Sequence, residues 1–396
     1  MKTRQLIGLL VALVMFSPLA IDIYLPALPL MQQDFAVNQE QIQATLGLFL
    51  FSLGVGQIII GPLTDHFGRR PVALAGISLY AVSALAGMLT HDFTGLLLSR
   101  IGQGIGACST SIVAFAAVRD SFAARECARM YSYLNGALCI IPALAPTLGG
   151  LLTVQFGWRA CFAFMLLFAL LVLVAVWGLF AETRPASAVS SGALYRWSRY
   201  QPILRSPTFI RYALVCMAGM TGILCYVTYA PMVLVGQLGV SELEFSAWFG
   251  ANALINIVAF FAAPRIVRRL GEVRTVITGL SVFALSGLFL IGSWLWWPLS
   301  AAAYMLPMTV LCSGFAVMLG SASALALMPF AGCAGTASAL LGCLQMSGAA
   351  LLAALIQQWA LEPRLAVAVS VLLPAVPLWL WCVQKGAKQQ YEMITE

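Results

Sequence analysis

The chain has 396 residues, 61% of them apolar and only 9% charged, with a mean hydropathy of +0.94. A water-soluble domain carries roughly 25% charged residues, so a soluble globular fold of this length is excluded and the composition places the chain in a membrane. The net charge of +7 does not mark a nucleic-acid partner, because the basic residues form short clusters between apolar runs, the pattern of cytoplasmic loops.

A spanning helix needs about 20 mostly apolar residues. About twelve such runs can be counted, centred near Val14, Phe51, Ala81, Ile105, Ile140, Leu170, Ala218, Ile255, Val282, Val310, Ser347 and Leu373. The first begins with Lys2 and Arg4 and could be mistaken for a signal peptide. Its removal would leave an odd number of spans and break the loop-charge pattern, so it is read as a span. Of the fourteen acids, Asp22 alone lies well inside a run. An ionisable group in lipid costs several kcal/mol and is a functional-site hypothesis by default. Pro26 frees the carbonyl of Asp22, and with Pro18 and Pro29 it should bend the first span around its acid.

Between the second and third spans lies Gly61-Pro-Leu-Thr-Asp65-His-Phe-Gly68-Arg69-Arg70-Pro71. Glycine, one acid and two arginines in so short a turn read as a hinge with an electrostatic latch. In the fourth span Arg100 is the only one of 21 lysines and arginines to sit within an apolar run. Arg100, Gln103, Gly104 and Ala107 share one helical face, and glycines there permit close helix approach. Asp22 lies 18 residues after Arg4, and Arg100 lies 19 before Arg119. Both acid and base are therefore roughly 27–28 Å from the cytoplasmic edge, and they can meet each other or take turns meeting a ligand. The plainer reading is a salt bridge that fixes packing, a role apolar residues could fill at less cost. The fifth span carries Asn135 and Gly136, then Pro142, Pro146, Gly149 and Gly150. Its prolines should bend it, and its glycine pair should admit a neighbour, a helix of the other half.

The one long connection, residues 181–207, holds Arg184, Arg196, Arg199 and Arg205 with small residues around Ser187 to Ser191. It reads as a cytoplasmic linker. The expected organisation is a six-helix bundle over residues 1–182, a linker over 183–207, and a second six-helix bundle with a short tail over 208–396. Lysines and arginines concentrate in loops of one side, leaving only Arg159 and Arg364 at the other, so both termini are expected in the cytoplasm. Pro264 to Thr275, with Gly271, echoes Pro62 to Val72 but has no counterpart of Asp65. An internal repeat would place substrate between the halves near the bilayer midplane; alternatively, any two arginine-rich loops look alike. The ten cysteines lie mostly in apolar runs without metal-ligand spacing, and neither a disulfide nor a metal site is expected.

These residues resemble the major facilitator superfamily. Gly61 to Pro71 is similar to its signature loop, and Arg100-Ile101-Gly102-Gln103-Gly104 is similar to its fourth-helix arginine motif. Pro142 to Gly150 resembles the fifth-helix motif of its drug:proton antiporters. The run Asp22 to Pro29, Arg119-Asp120, Gly157-Trp158-Arg159, Glu182-Thr183-Arg184 and Gly335 to Ala339 resemble the Bcr/CflA-type bacterial exporters. The resemblance implies an all-α integral membrane fold of twelve spans in two six-helix bundles. It also implies that Asp65, Arg69 and Asp120 form a charge latch on the inner face, holding the outward-facing state. Asp65 would in addition face the start of the eleventh helix near Gly335 and Thr336, and Asp22 would carry the proton. Two departures stand out: His66 replaces a usual arginine, and Ala145 a usual glycine.

The leading expectation is thus a proton-coupled antiporter exporting small amphipathic compounds across the bacterial inner membrane, acting as a monomer. Asp22 and Arg100 would couple the proton. Tyr24, Phe49, Tyr226, Tyr229, Trp248 and Phe249 are candidate liners of an apolar cavity, with Gln103, Asn135, Asn252, Asn256 and Gln345 as polar handles. No phosphate-binding GxxxxGK loop is present in the sequence, so the proton gradient rather than ATP or a cofactor is the expected energy source. A transporter of a sugar, amino acid or dipeptide is the alternative, although a dedicated metabolite site would show more polar residues. A non-transporting receptor or scaffold would have no need of Asp22. An enzyme is least expected, since no nucleophile or paired-carboxylate cluster is present and both histidines, His66 and His91, fall in loops.

Overall fold

The computed structural model describes residues 3–122, 124–184 and 197–395, and these are helices joined by short turns. Eleven stretches among them are long and apolar enough to cross a membrane. In chain order the spans are Gln5–Asp34, Gln39–Phe67, Arg69–Leu89, Phe93–Ser121, then the fifth, Ala124–Phe156, and Arg159–Leu179. After the short helix Trp197–Leu204 come Pro207–Gln237, Glu242–Leu270, Glu272–Trp296, Ala301–Phe330, Ala334–Gln357 and Pro363–Thr395. The fifth is the weakest by composition, its apolar part being only Ile140–Phe156. Arg196 and Ser187 to Ser191 of the expected linker lie outside the described residues. So do the side chains of Arg4, Arg125, Arg129, Asn135, Lys385 and Lys388.

Short polar residues start the helices where the chain turns. The Asn38 side chain accepts from the Gln41 amide at 2.8 Å while the Gln41 side chain accepts from that of Asn38 at 2.9 Å, a reciprocal cap. Asp92 accepts from Thr94 and Gly95, and Ser206 and Ser300 cap the seventh and tenth spans. Proline shapes the first span as its chemistry requires. The helix Phe16–Asp22 stops at the acid, a 3-10 turn Leu25–Ala27 follows, and the helix resumes over Leu28–Asp34 with Pro29 in its opening turn. The fifth span, by contrast, stays helical through both Pro142 and Pro146.

The chain divides into two compact units, Met1–Trp197 with Glu242–Gly250, and Ser198–Ser241 with Ala251–Glu396. The opening turns of the eighth span thus group with the first unit rather than the second. There the Ser246 hydroxyl donates to the carbonyl of Pro146 at 2.9 Å, and Gly150 leaves room for it.

In each half of the sequence the same devices recur. A 29-residue helix with an internal proline, Pro62 or Pro264, ends at a single glycine, and the next helix begins at once. Gly68 has φ 101° and ψ 165°, and Gly271 has φ 78° and ψ 165°, a region essentially closed to side-chain-bearing residues. At the opposite ends of the helices, Arg159 donates to the Thr90 carbonyl at 3.2 Å and Arg364 to that of Pro298 at 2.9 Å. Each arginine starts the last span of its half and reaches the turn between the third and fourth, so the repetition extends beyond the two glycine turns.

Candidate functional site

The turn after the second span is a dense polar junction. Arg69, 2% exposed, donates from Nη1 to Asp65 Oδ1 at 2.7 Å and from Nε to Asp120 Oδ2 at 2.8 Å. Asp65 is half-exposed, whereas Asp120 is buried and lies 3.8 Å from the exposed Arg119. The candidate latch residues Asp65, Arg69 and Asp120 are therefore one hydrogen-bonded group, with Gly61 a turn before it. Arg70 turns away and donates to the Trp177 carbonyl at 2.7 Å.

Glu182 completes this junction, and sequence reasoning assigned it no role. Its carboxylate accepts the amides of Arg69 at 2.9 Å and Arg70 at 3.1 Å, the first two of the third span. It accepts those of Thr183 at 3.0 Å and Arg184 at 2.9 Å as well. Arg184 in turn donates to the carbonyls of Asp65 and His66, at the end of the second span. One acid thus caps a helix start and the adjacent base caps a helix end, each complementing the local partial charge. Partial burial opposes the charge of Glu182, but the four amide bonds outweigh it and hold its carboxyl below the usual glutamate range. A side chain on Gly68 would run into that carboxylate. Among the described residues, Gly271 has nothing within 4 Å of the same place.

The second centre lies at the break in the first span. Arg100 is fully buried. Its Nη1 donates to Gln103 Oε1 at 2.5 Å and its Nη2 to the Ala20 carbonyl at 2.7 Å. Its guanidinium carbon lies 4.5 Å from the Tyr24 ring centroid and 4.7 Å from that of Phe49, close enough for cation–π attraction to both. Thr45 spends its proton on the Ile42 carbonyl at 2.6 Å, so the Tyr24 hydroxyl, 3.2 Å away, donates to Thr45. Asp22 is 4% exposed, and its carboxylate has neither an ion pair nor a hydrogen bond among the described residues. The salt bridge weighed from matched depth is thus not formed. Arg100 meets the first span at the backbone carbonyl of Ala20, two residues before the acid. The arrangement leaves a buried cation resting on neutral acceptors and rings, and a nearby buried acid with no partner.

The first span also receives the fifth. A side chain at Gly149 would collide with the carbonyl of Ile23, so the motif's glycine admits the first span of the same half. Gly136 has open space around it, and Pro142 and Pro146 lie on the intervening helix. At the far end of this unit Asp34 accepts from Trp158 Nε1 at 2.9 Å and from Arg159 at 3.0 Å, which gives Gly157-Trp158-Arg159 a structural anchor.

The remaining candidates scatter. Tyr226, Tyr229, Phe249 and Asn252 are buried, while Trp248, Asn256 and Gln345 are half-buried. Gln345 falls in a wider π-turn, Leu344–Gly348, and a similar turn, Met232–Gln237, follows Pro231 in the seventh span. Such turns concentrate at functional positions. The Asn252 amide donates to the Tyr226 hydroxyl at 2.9 Å and to Cys312 Sγ at 3.5 Å. Thus Arg100, Gln103, Tyr24 and Phe49 form one cluster and Asn252 with Tyr226 another; Asn135 falls outside the described side chains.

Spanning helices, a buried unpaired acid in a broken first helix and a glycine turn bolted by ion pairs are the equipment of a membrane transporter. The profile of the Major Facilitator Superfamily matches residues 10–383, and the chain belongs to that family. It is a multi-pass transporter of small molecules, not an enzyme. It is 30% identical over 386 residues to multidrug resistance protein MdtL of Citrobacter koseri, covering 97% of this chain and 96% of that one. It is 33% identical over 331 residues to a chloramphenicol resistance protein of Pseudomonas aeruginosa, covering 83% and 78%. Among solved structures, a D-xylose-proton symporter superposes with a TM-score of 0.74 at 18% identity, over 95% of this chain and 96% of that one. The human organic anion transporter MFSD10 does so with 0.68, also at 18% identity, over 96% and 100%. These two share the fold.

Proposed function

We propose that this protein is a proton-coupled antiporter that exports small amphipathic drugs, chloramphenicol-like neutral compounds or lipophilic cations, across the bacterial inner membrane. Its termini would both be cytoplasmic and it would work as a monomer, powered by the proton gradient. The observation that carries the reading is Asp22: a buried carboxylate with no partner, at a proline break, beside an arginine committed elsewhere. A group so placed is costly to keep for packing alone. Similarity to the multidrug and chloramphenicol resistance proteins supports drugs as the cargo.

The cycle follows from the charge. Facing inward, Asp22 is ionised and substrate enters beside the Tyr24 and Phe49 rings. Facing outward, substrate leaves and a proton neutralises Asp22, which removes the cost of carrying a bare charge through the closed state. Arg100, pinned by Gln103 and Ala20, keeps the cation fixed while the acid changes state. The junction of Asp65, Arg69 and Asp120 ties together the adjoining ends of the second, third and fourth spans in the outward-facing form. One proton against a neutral drug moves one charge, drawing about 2.3 kcal/mol per 100 mV from the membrane potential; against a monovalent cation it moves none. The test is proton movement in energised inside-out vesicles with wild type and Asp22→Asn. A drug that collapses the pH gradient only with the intact acid supports the reading. An Asp22→Asn protein that still pumps uphill refutes it.

A further inference from the structure

We infer that Asn252 and Asn256 form a hydrogen-bond-accepting subsite in the eighth span, selecting neutral compounds that carry hydroxyl or amide donors. This rests on the drug-export reading above and names the chemistry of one part of its site. Asn252 is 4% exposed. Its amide nitrogen has two protons, and both are placed: one on the Tyr226 hydroxyl of the seventh span, the other on Cys312 Sγ of the tenth. Tethered on two sides, the side chain cannot rotate to find a donor for its own oxygen, and Oδ1 is buried with none. Reversing the amide would give the oxygen to Tyr226 and Cys312 and strand two N–H groups instead of one acceptor, the worse arrangement.

One turn further along, Asn256 Oδ1 is also buried without a partner. Residues four apart share a helix face, and their side chains are about 6 Å apart along the axis. Buried acceptors without donors are rare in folded proteins and call for an explanation. Two in successive turns of one helix are explained if a ligand supplies the donors. Its charge class follows from the surroundings. On the eighth span itself the acids are Glu242 and Glu244, in its first turn and two or more turns before Asn252, while Glu272 and Glu362 stand at the starts of other helices and Glu392 near the end of the last. A bulky cation without N–H or O–H groups can make no hydrogen bond to these carbonyls, and its shielded charge gains little from their dipoles, whereas a diol or secondary amide satisfies both.

The experiment measures equilibrium binding to the purified full chain in detergent. The probes are chloramphenicol, with two hydroxyls and an amide N–H, its diacetyl ester, with the hydroxyls blocked, and tetraphenylphosphonium, with no donor. Wild type should prefer chloramphenicol over the ester by about tenfold, the effect of one well-placed hydrogen bond. Asn256→Leu and Asn252→Leu should each weaken chloramphenicol by about tenfold and leave tetraphenylphosphonium within about twofold. Asn256→Leu makes neither the Tyr226 nor the Cys312 contact, so it reports on the subsite even where Asn252→Leu lowers the melting temperature. Equal loss of both probes, no loss of either, or a wild type indifferent to acetylation overturns the subsite while drug binding stands. A wild type that binds none of the three overturns the drug-export reading and the subsite with it.

Discussion

Replacing Glu182 tests whether the junction at the start of the third span is held from a distance. In Glu182→Ala the amides of Arg69 and Arg70 lose their acceptor, as do those of Thr183 and Arg184. The nearest measured analogue is removal of a helix N-cap, which costs about 0.5–2 kcal/mol. Two helix amides are freed here, but water can replace part of the loss at a partly exposed acid, so about 1–2 kcal/mol is expected, a factor of about 5–30 in local opening. Hydrogen exchange reads this directly. Protection of the Arg69 and Arg70 amides should fall by that factor, with the middle of the fourth span unchanged. The dependence on pH has a fixed sign. Because the folded carboxyl titrates below its ordinary value of 4.5, its contribution is fully present above that pH and is lost as pH falls through the lower folded value. The melting-temperature gap between wild type and Glu182→Gln should therefore be widest near neutrality and close as the medium is acidified below that range. Unchanged protection at Arg69 and Arg70 in Glu182→Ala would refute the capping role.

Gly68→Ala and Gly271→Ala should each destabilise by about 1–3 kcal/mol, since both backbones lie where only glycine is at ease. Thermal unfolding should show the larger loss for Gly68→Ala, because only there does the new methyl meet a side chain, that of Glu182. Gly149→Val should abolish transport and lower stability, as the branched side chain forces the fifth span away from the Ile23 carbonyl; vesicle transport and melting should fall together. Arg100→Lys keeps the charge but loses the planar fork that spans Gln103 and Ala20. Drug-driven proton movement should drop at least about tenfold, consistent with the loss of one charged hydrogen bond worth about 1.5–3 kcal/mol when the fork can no longer hold Gln103 and Ala20 together.

Local chemistry makes much of the fold readable in the sequence. Runs of apolar residues mark the spans, Pro26 marks the break after Asp22, and Gly68 and Gly271 mark turns that other residues enter only with strain. What escaped the sequence was contact between distant residues. Glu182 lies 113 positions from Arg69, and no pattern in either segment announces that one caps the other. Its neighbour Arg184 was visible only as part of a family-like tripeptide. Matched depth correctly brought Arg100 to the first span but could not say which face it would meet, and it meets a backbone carbonyl rather than the acid. The partner of Gly149 was equally hidden, because a glycine shows where a neighbour can approach without naming it. The Asn252 tether joins three spans that are 26 and 60 residues apart, a distance over which helical periodicity carries no information.

The account stands or falls on Asp22. In energised inside-out vesicles, chloramphenicol and tetraphenylphosphonium would be added separately to wild type and to Asp22→Asn, with pH and membrane potential followed together. The account predicts drug-induced proton release from wild type, a change in potential with the neutral compound alone, and neither signal from the variant. Uphill drug movement by Asp22→Asn, accompanied by proton release equal to that of wild type, would contradict it.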